Sequence, residues 1–225
     1  MSLISKLRLI TVDVTGTLLA YKGQLGDYYC MAAKAAGKPC PDYQRMHEGF
    51  KLAYTEMARQ YPCFGFAAKM PNIDWWRMCV KDSFVKAGYE YDEETFEKIF
   101  KRIYSSFGSS APYSVFPDAQ PFMRWLRGKG LTVGIVSNAE YRYKDVILPA
   151  LGLNQGSEWD FGVFSGIVWC GEARSKYLQD CTGNGGQGRA RRGASHRRQH
   201  AQGLHPCTEH RNARVASGPI QDRRC

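Results

Sequence analysis

The stretch LRLITVDVTGTLLAY, residues 7–21, decides how the rest of the chain is read. It opens as a nearly continuous apolar run, ends that run in the carboxylate of Asp13, and breaks at once at Thr15, Gly16 and Thr17. A short apolar run closed by a turn signal reads as a strand, residues 7–13, buried on both faces. In open parallel sheets, ligands lie beyond the carboxyl ends of the strands, so Asp13 stands at the ligand-facing edge. A carboxylate placed there can act as a covalent nucleophile toward a phosphoryl group. The turn behind it can present backbone N–H groups and the Thr17 hydroxyl to phosphate oxygens. An aspartate at a strand end also caps or forms turns, and DVTGT alone does not separate the two readings.

The rest of the chain supplies the second half of the pattern. Residues 27–110 read as helical. In YDEETFEKIFKRIYSSFG, Phe96, Ile99, Phe100, Ile103 and Tyr104 recur at helical spacing, with Asp92 placed to cap, acidic Glu93 and Glu94 following, and Gly108 beyond the end. A further amphipathic stretch runs through Trp76, Val80 and Phe84 to Gly88. The aromatic residues here, including Tyr28, Tyr29, Trp75 and Trp76, are expected to pack rather than to bind a ligand. From residue 112 the style changes. Asp118 and Pro121 open a helix that Gly128 and Gly130 stop, a second buried strand covers residues 131–137, a helix follows in YKDVILPALGL, and WDFGVFSG makes a third strand. Strand and helix in alternation imply parallel strands with right-handed crossovers, hence an α/β fold. The second strand ends at Ser137 and Asn138, a hydroxyl and an amide at the same sheet edge as Asp13.

Composition bounds the classes. The chain of 225 residues, 44% hydrophobic, can hold one domain with an insert. No apolar run is long enough to cross a bilayer, so no membrane partner is expected. The N-terminal run is too short and too strand-like for a signal peptide, and eight cysteines then imply reduced thiols in the cytoplasm. The net charge of +10 invites a nucleic-acid reading. Yet residues 169–225 hold ten Arg and one Lys against two Asp and two Glu, so the first 168 residues carry only +3.

The pairing of strand–Asp–turn, helical insert, then strand–Ser–Asn resembles the haloacid dehalogenase-like hydrolases. DVTGTL is similar to their first motif, VGIVSN to their second, and the helical block to the cap inserted between the two. The resemblance implies a Rossmann-like parallel sheet core from residues 1–20 and 112–168, with a helical cap at 21–111. It implies that Asp13 is the nucleophile and a Mg²⁺ ligand, that the Thr15 carbonyl is a second Mg²⁺ ligand, and that Thr17, Ser137 and Asn138 hold the phosphate of a small phosphorylated substrate. The metal would offset repulsion between two anions. Two departures accompany the resemblance. Phosphatases of the family carry Asp where this chain has Thr15, and a threonine does not activate water as a carboxylate does. The family's later lysine and acidic metal motifs are also missing after the third strand.

In their place stands a tail, residues 169–225, without apolar periodicity, expected by composition to be disordered. Dropping the first base of the Trp169 codon permits Gly-Val-Glu-Lys-Pro-Asp-Pro, similar to the family's lysine motif. The same frame later permits His-Ile-Gly-Asp-Ser-Met, similar to its acidic motif. The tail therefore reads as an out-of-frame translation, with the last part of the core lost. That weakens two other readings of the tail. His196, His200, His205 and His210 with Cys170, Cys181, Cys207 and Cys225 fit no zinc template. The Arg/Gly run at 188–198 suits nonspecific nucleic-acid contact. Three functions stay open: a hydrolase inactive as written, a catalytically dead binding protein of the same fold, and a nucleic-acid binder acting through its tail. Losing the strand expected beside the first one would leave an apolar edge prone to association.

Overall fold

The computed structural model describes residues 7–168, and the readings of the tail (its disorder, its frame, its His/Cys set and its Arg/Gly run) lie outside them. The first strand, β1, is Leu9–Val12. It pairs in parallel with β4, Thr132–Ser137, which pairs in parallel with β5, Phe161–Phe164, in the order β1-β4-β5. The α/β class and the parallel sheet are as the alternation of elements implied. β1 itself is shorter than the apolar run and only half-buried, with Thr11 exposed, because it has a partner on one side only among the described residues. The central strand β4 buries Val133, Gly134 and Ile135.

Between β1 and β4 the chain builds a second, antiparallel pair: β2, Leu19–Tyr21, against β3, Tyr113–Val115. The helices α1, Leu25–Ala35, α2, Tyr43–Gln60, α3, Asn72–Lys86, and α4, Glu93–Phe107, lie between these two strands in sequence. Their ends follow from capping chemistry. The Asp42 carboxylate accepts from the amides of Gln44 and Arg45, and that of Asp92 accepts the Thr95 amide at 2.9 Å, each satisfying donors that the first turn leaves open. The helices close on a core that includes Tyr29, Met46, Trp75, Phe84, Ile99 and Phe100. A second apolar cluster, with Val14, Leu19, Met123, Ile135, Trp159 and Phe164, lies on the sheet, and Phe107 packs against both.

After β3 comes α5, Ala119–Gly128. Asp118 opens it with its backbone carbonyl, which accepts the Phe122 amide at 2.9 Å, and its side chain makes no capping bond. The helix expected in YKDVILPALGL begins as a π turn, Tyr143–Ile147, and ends as one short turn, α6, Leu148–Ala150. Such π turns are rare and recur at functional sites, and here Tyr143 is its first residue.

The half-partnered β1 yields an expectation. A charge on an edge strand discourages edge-to-edge pairing, so Thr11→Lys should lower self-association of the purified chain with its far-ultraviolet circular dichroism unchanged. Light scattering against protein concentration reads this directly, and an unchanged particle size would mean that association does not run through β1.

Candidate active site

The strand register brings the expected site residues to one edge. Val12 pairs with Ile135, so Asp13 lies one residue past that pair and Ser137 two residues past it on the neighbouring strand, about 4.8 Å across the sheet. Asp13 is half-buried, and its Oδ1 accepts the Val14 amide at 2.7 Å. Gly16 has φ of 84°, a left-handed conformation that glycine adopts without steric cost. Its amide reaches the Leu19 carbonyl at 2.7 Å, while the amides of Thr17, Leu18 and Leu19 all turn onto the Val14 carbonyl. These four N–H groups are thus spent inside the turn, not turned toward a ligand, while Thr17 itself is exposed.

The second motif is tied to the end of β5. Ser137 is buried, and its carbonyl accepts the Ser165 amide at 3.1 Å. The Ser165 hydroxyl donates to Asn138 Oδ1 at 2.5 Å, and the Gly166 amide donates to the Ala139 carbonyl at 3.0 Å. A Cβ on Gly166 would stand 2.9 Å from the Glu140 backbone and 3.2 Å from the Phe64 ring, so only glycine admits this approach. Phe64 belongs to a loop in which Cys63, Phe64 and Lys69 all have positive φ. That loop and Gly166 line a cleft of about 590 Å³ that also takes in Phe66 and Met70.

Sequence reasoning missed four residues here, Tyr143, Tyr21, Glu140 and Arg142. Thr15 donates to the Tyr143 hydroxyl at 3.5 Å, and Tyr143 shares a 3.1 Å hydrogen bond with the Tyr21 hydroxyl. Burial pushes the Tyr21 phenol far above its ordinary value, with the neighbouring Tyr143 adding to the effect, so Tyr21 stays protonated. The position that carries a general acid and base in related phosphatases is therefore held among neutral hydroxyls. Nothing in the sequence announces a contact spanning 128 residues. The other two are local: Glu140 and Arg142, two residues apart, form a buried ion pair at 2.5 Å. Arg142 also donates to the Tyr104 carbonyl of α4 at 2.9 Å and stacks on the Tyr104 ring at 4.0 Å. The pattern Ser-Asn-Ala-Glu-Tyr-Arg, with opposite charges just beyond a buried strand, was the signal available for it.

The donors at this edge suit a hard cation in kind but not in number. Asp13 offers a carboxylate and Thr15 a carbonyl, yet among the described residues no three His, Cys, Asp or Glu gather to hold a metal ion. Mg²⁺ takes near-octahedral oxygen ligation, and these residues alone do not provide it. Among the described residues, no helix is long and apolar enough to cross a membrane.

Comparison with known proteins places these features in a family. The model of the haloacid dehalogenase-like hydrolases matches residues 7–171. The protein called haloacid dehalogenase-like hydrolase domain-containing protein 3 is 32% identical in Xenopus tropicalis, over 62% of this chain and 72% of the frog protein. The mouse protein of that name is 29% identical over 73% of this chain and 64% of its own length. The bovine one is 31% identical over 67% of this chain and 59% of its own length. Among solved structures, one described as a predicted phosphoglycolate phosphatase from Haemophilus somnus covers 79% of this chain and 72% of its own, with 18% identity and a TM-score of 0.50. One described as a dehalogenase covers the same shares with 17% identity and a TM-score of 0.51. At these identities the structures speak for the fold alone.

The buried pair makes its own prediction. Removing one member of a buried ion pair strands the other charge and costs roughly 3–5 kcal/mol. Glu140→Ala and Arg142→Ala should each destabilise by that order, and the double variant by clearly less than the sum, as read by a double-mutant cycle in urea unfolding.

Proposed function

The chain belongs to the haloacid dehalogenase-like hydrolase family, and we propose that its Asp13 edge is the site of a phosphate-ester hydrolase working through an aspartyl intermediate, disabled in the chain as written. The observation that carries this reading is the register that sets Asp13 beside Ser137 at the carboxyl ends of adjacent parallel strands. The Asp13 carboxylate would attack phosphorus, forming a P–O bond to the aspartate as the bond to the leaving oxygen breaks. Thr17, Ser137 and Asn138 would hold the remaining phosphate oxygens. Water would then cleave the aspartyl phosphate, slowly, because Thr15 with its Tyr143 partner offers no carboxylate to accept the water's proton.

Mg²⁺ is the family's cofactor in this reading, and when bound it offsets the repulsion between carboxylate and phosphate. The acidic ligands and the lysine that would complete the site belong to the other reading frame of residues 169–225. The end of the family match at residue 171 supports that assignment. The substrate class is a small phosphorylated molecule in the cytoplasm, and the basic tail adds no more than nonspecific contact with nucleic acid.

A second reading has its own support. The hydroxyl cluster of Thr15, Tyr143 and Tyr21 suits a fold that binds a phosphorylated ligand without turning it over. One experiment separates the two. The 225-residue chain should show no Asp13-dependent hydrolysis of an aryl phosphate with Mg²⁺, whereas a version with the frame restored from residue 169 should, and Asp13→Asn should abolish it. Restored protein that binds phosphate but never turns over would establish the binding reading instead. In the restored protein, Thr15→Asp should raise kcat by about 100-fold, the lower end of what a positioned general acid and base contributes.

A further inference from the structure

Cys30 and Cys40, ten residues apart in the chain, come side by side in the helical cluster. Cys30 is fully buried on α1, and Cys40 lies partly exposed in the segment that leads to α2. Both thiols donate to one acceptor, the Pro41 carbonyl oxygen, Cys30 at 3.2 Å and Cys40 at 3.1 Å. Their convergence is imposed from outside. Gln24 and Asp27 close the start of α1 in a capping box, Asp42 caps α2, and the Tyr91 hydroxyl donates to the Pro39 carbonyl at 2.7 Å. The chain around the two cysteines is thus held before Cys30, at Pro39 and just after Cys40.

The two thiols are chemically unequal. Burial pushes Cys30 up to about 12, helped by the neighbouring Cys40, while the Lys34 ammonium pulls the other way. A thiol held protonated attacks nothing in solution, but it can act on a sulfur brought to it. Cys40 has the solvent access that Cys30 lacks.

The geometry points to Cys30 and Cys40 as an oxidisable dithiol, a modification site at which a low-molecular-weight disulfide such as oxidised glutathione is reduced and an internal Cys30–Cys40 disulfide forms. Cys40, as thiolate, attacks one sulfur of the small disulfide, makes a mixed disulfide and expels one thiolate. Cys30 then attacks the Cys40 sulfur as its proton passes to the departing small thiolate, the mixed S–S bond breaks, and the second small thiol leaves. Two protein thiols are oxidised by two electrons, one small disulfide is reduced to two thiols, and the protons lost by the cysteines end on those thiols. The product ties α1 to the segment before α2. This inference does not depend on the reaction proposed at Asp13.

The test uses the full chain with oxidised glutathione, in native buffer and in urea, followed by alkylation, trypsin and mass spectrometry. Cleavage after Lys22, Lys34 and Arg45, with Lys38 protected by Pro39, sets Cys30 in peptide 23–34 and Cys40 in peptide 35–45. The expected result in native buffer is that these two peptides, joined and two hydrogens lighter than their sum, are the dominant internal cross-link among the eight cysteines. In urea that dominance should vanish, since the folded segment is what brings the sulfurs together. Cys30→Ser should instead leave Cys40 as a lasting glutathione adduct. The proposal is overturned if the cross-link has the same share in both solvents, if other pairs dominate the native chain, or if unmodified native chain stops at the Cys40 adduct.

Discussion

Everything at this site depends on the parallel pairing of β1 with β4. Parallel strands cannot be joined by a tight turn and need a long crossover, and here the crossover carries the β2–β3 pair and the five helices α1 to α5 before the chain returns at Thr132. Because the two strands run the same way, both carboxyl ends emerge on one side of the sheet. That is how residues 13 and 137 come to the same edge of the sheet. An antiparallel pairing of the same strands would send Asp13 and Ser137 to opposite ends. The cluster that holds the pairing joins residues of the crossover, among them Val14, Leu19 and Met123, with Ile135 and Trp159 after it, and Ile10 and Val12 of β1 pack against it. Neither half of the chain makes this edge alone.

The chemistry of the edge is lopsided. It has a nucleophile-type carboxylate with a well-made turn behind it, and a second motif anchored through Ser165 and Gly166. Among the described residues, no three His, Cys, Asp or Glu gather there to hold a metal ion. Thr15, Tyr143 and Tyr21 fill that place with hydroxyls, and burial holds the Tyr21 phenol protonated. Neutral hydroxyls orient a ligand by donating and accepting hydrogen bonds, but they are poor proton acceptors near neutral pH. In the reaction proposed for Asp13, such an edge would release a phosphoryl group slowly.

What the sequence made legible, and what it hid, divides along the range of the interactions. Asp13, Ser137, the parallel order and the α4 face of Phe96, Ile99, Phe100 and Ile103 were readable because period and turn chemistry are local properties. The β2–β3 pair escaped notice, since three residues at Leu19–Tyr21 find their partners only at Tyr113–Val115, across all four helices. The Tyr143–Thr15 contact was hidden for the same reason. The π turn at Tyr143 departs from the expected helix without any glycine or proline at its start to signal it. Asp118 shows the converse, a residue with the right chemistry in the right place whose side chain makes no cap because its backbone is already helical.

The Glu140–Arg142 pair connects these two scales. It is local in sequence, yet Arg142 reaches the carbonyl and ring of Tyr104, so the turn after β4 is fastened to α4. Burying two charges costs several kcal/mol per ion unless close partners return it. Glu140 shows that cost directly, since desolvation raises its carboxyl above its ordinary value even with Arg142 beside it. Close partners are supplied: the Arg142 amide and Nε donate to Glu140, and Nη1 donates to the Tyr104 carbonyl. Drawing α4 away from the Asn138 turn would strip that last partner from a buried cation. Two apolar residues here could slide past one another at little cost, whereas this pair admits one position. The wall that Gly166 makes against the Glu140 backbone and Phe64 is therefore held at a set distance by an electrostatic constraint that apolar packing alone would not impose.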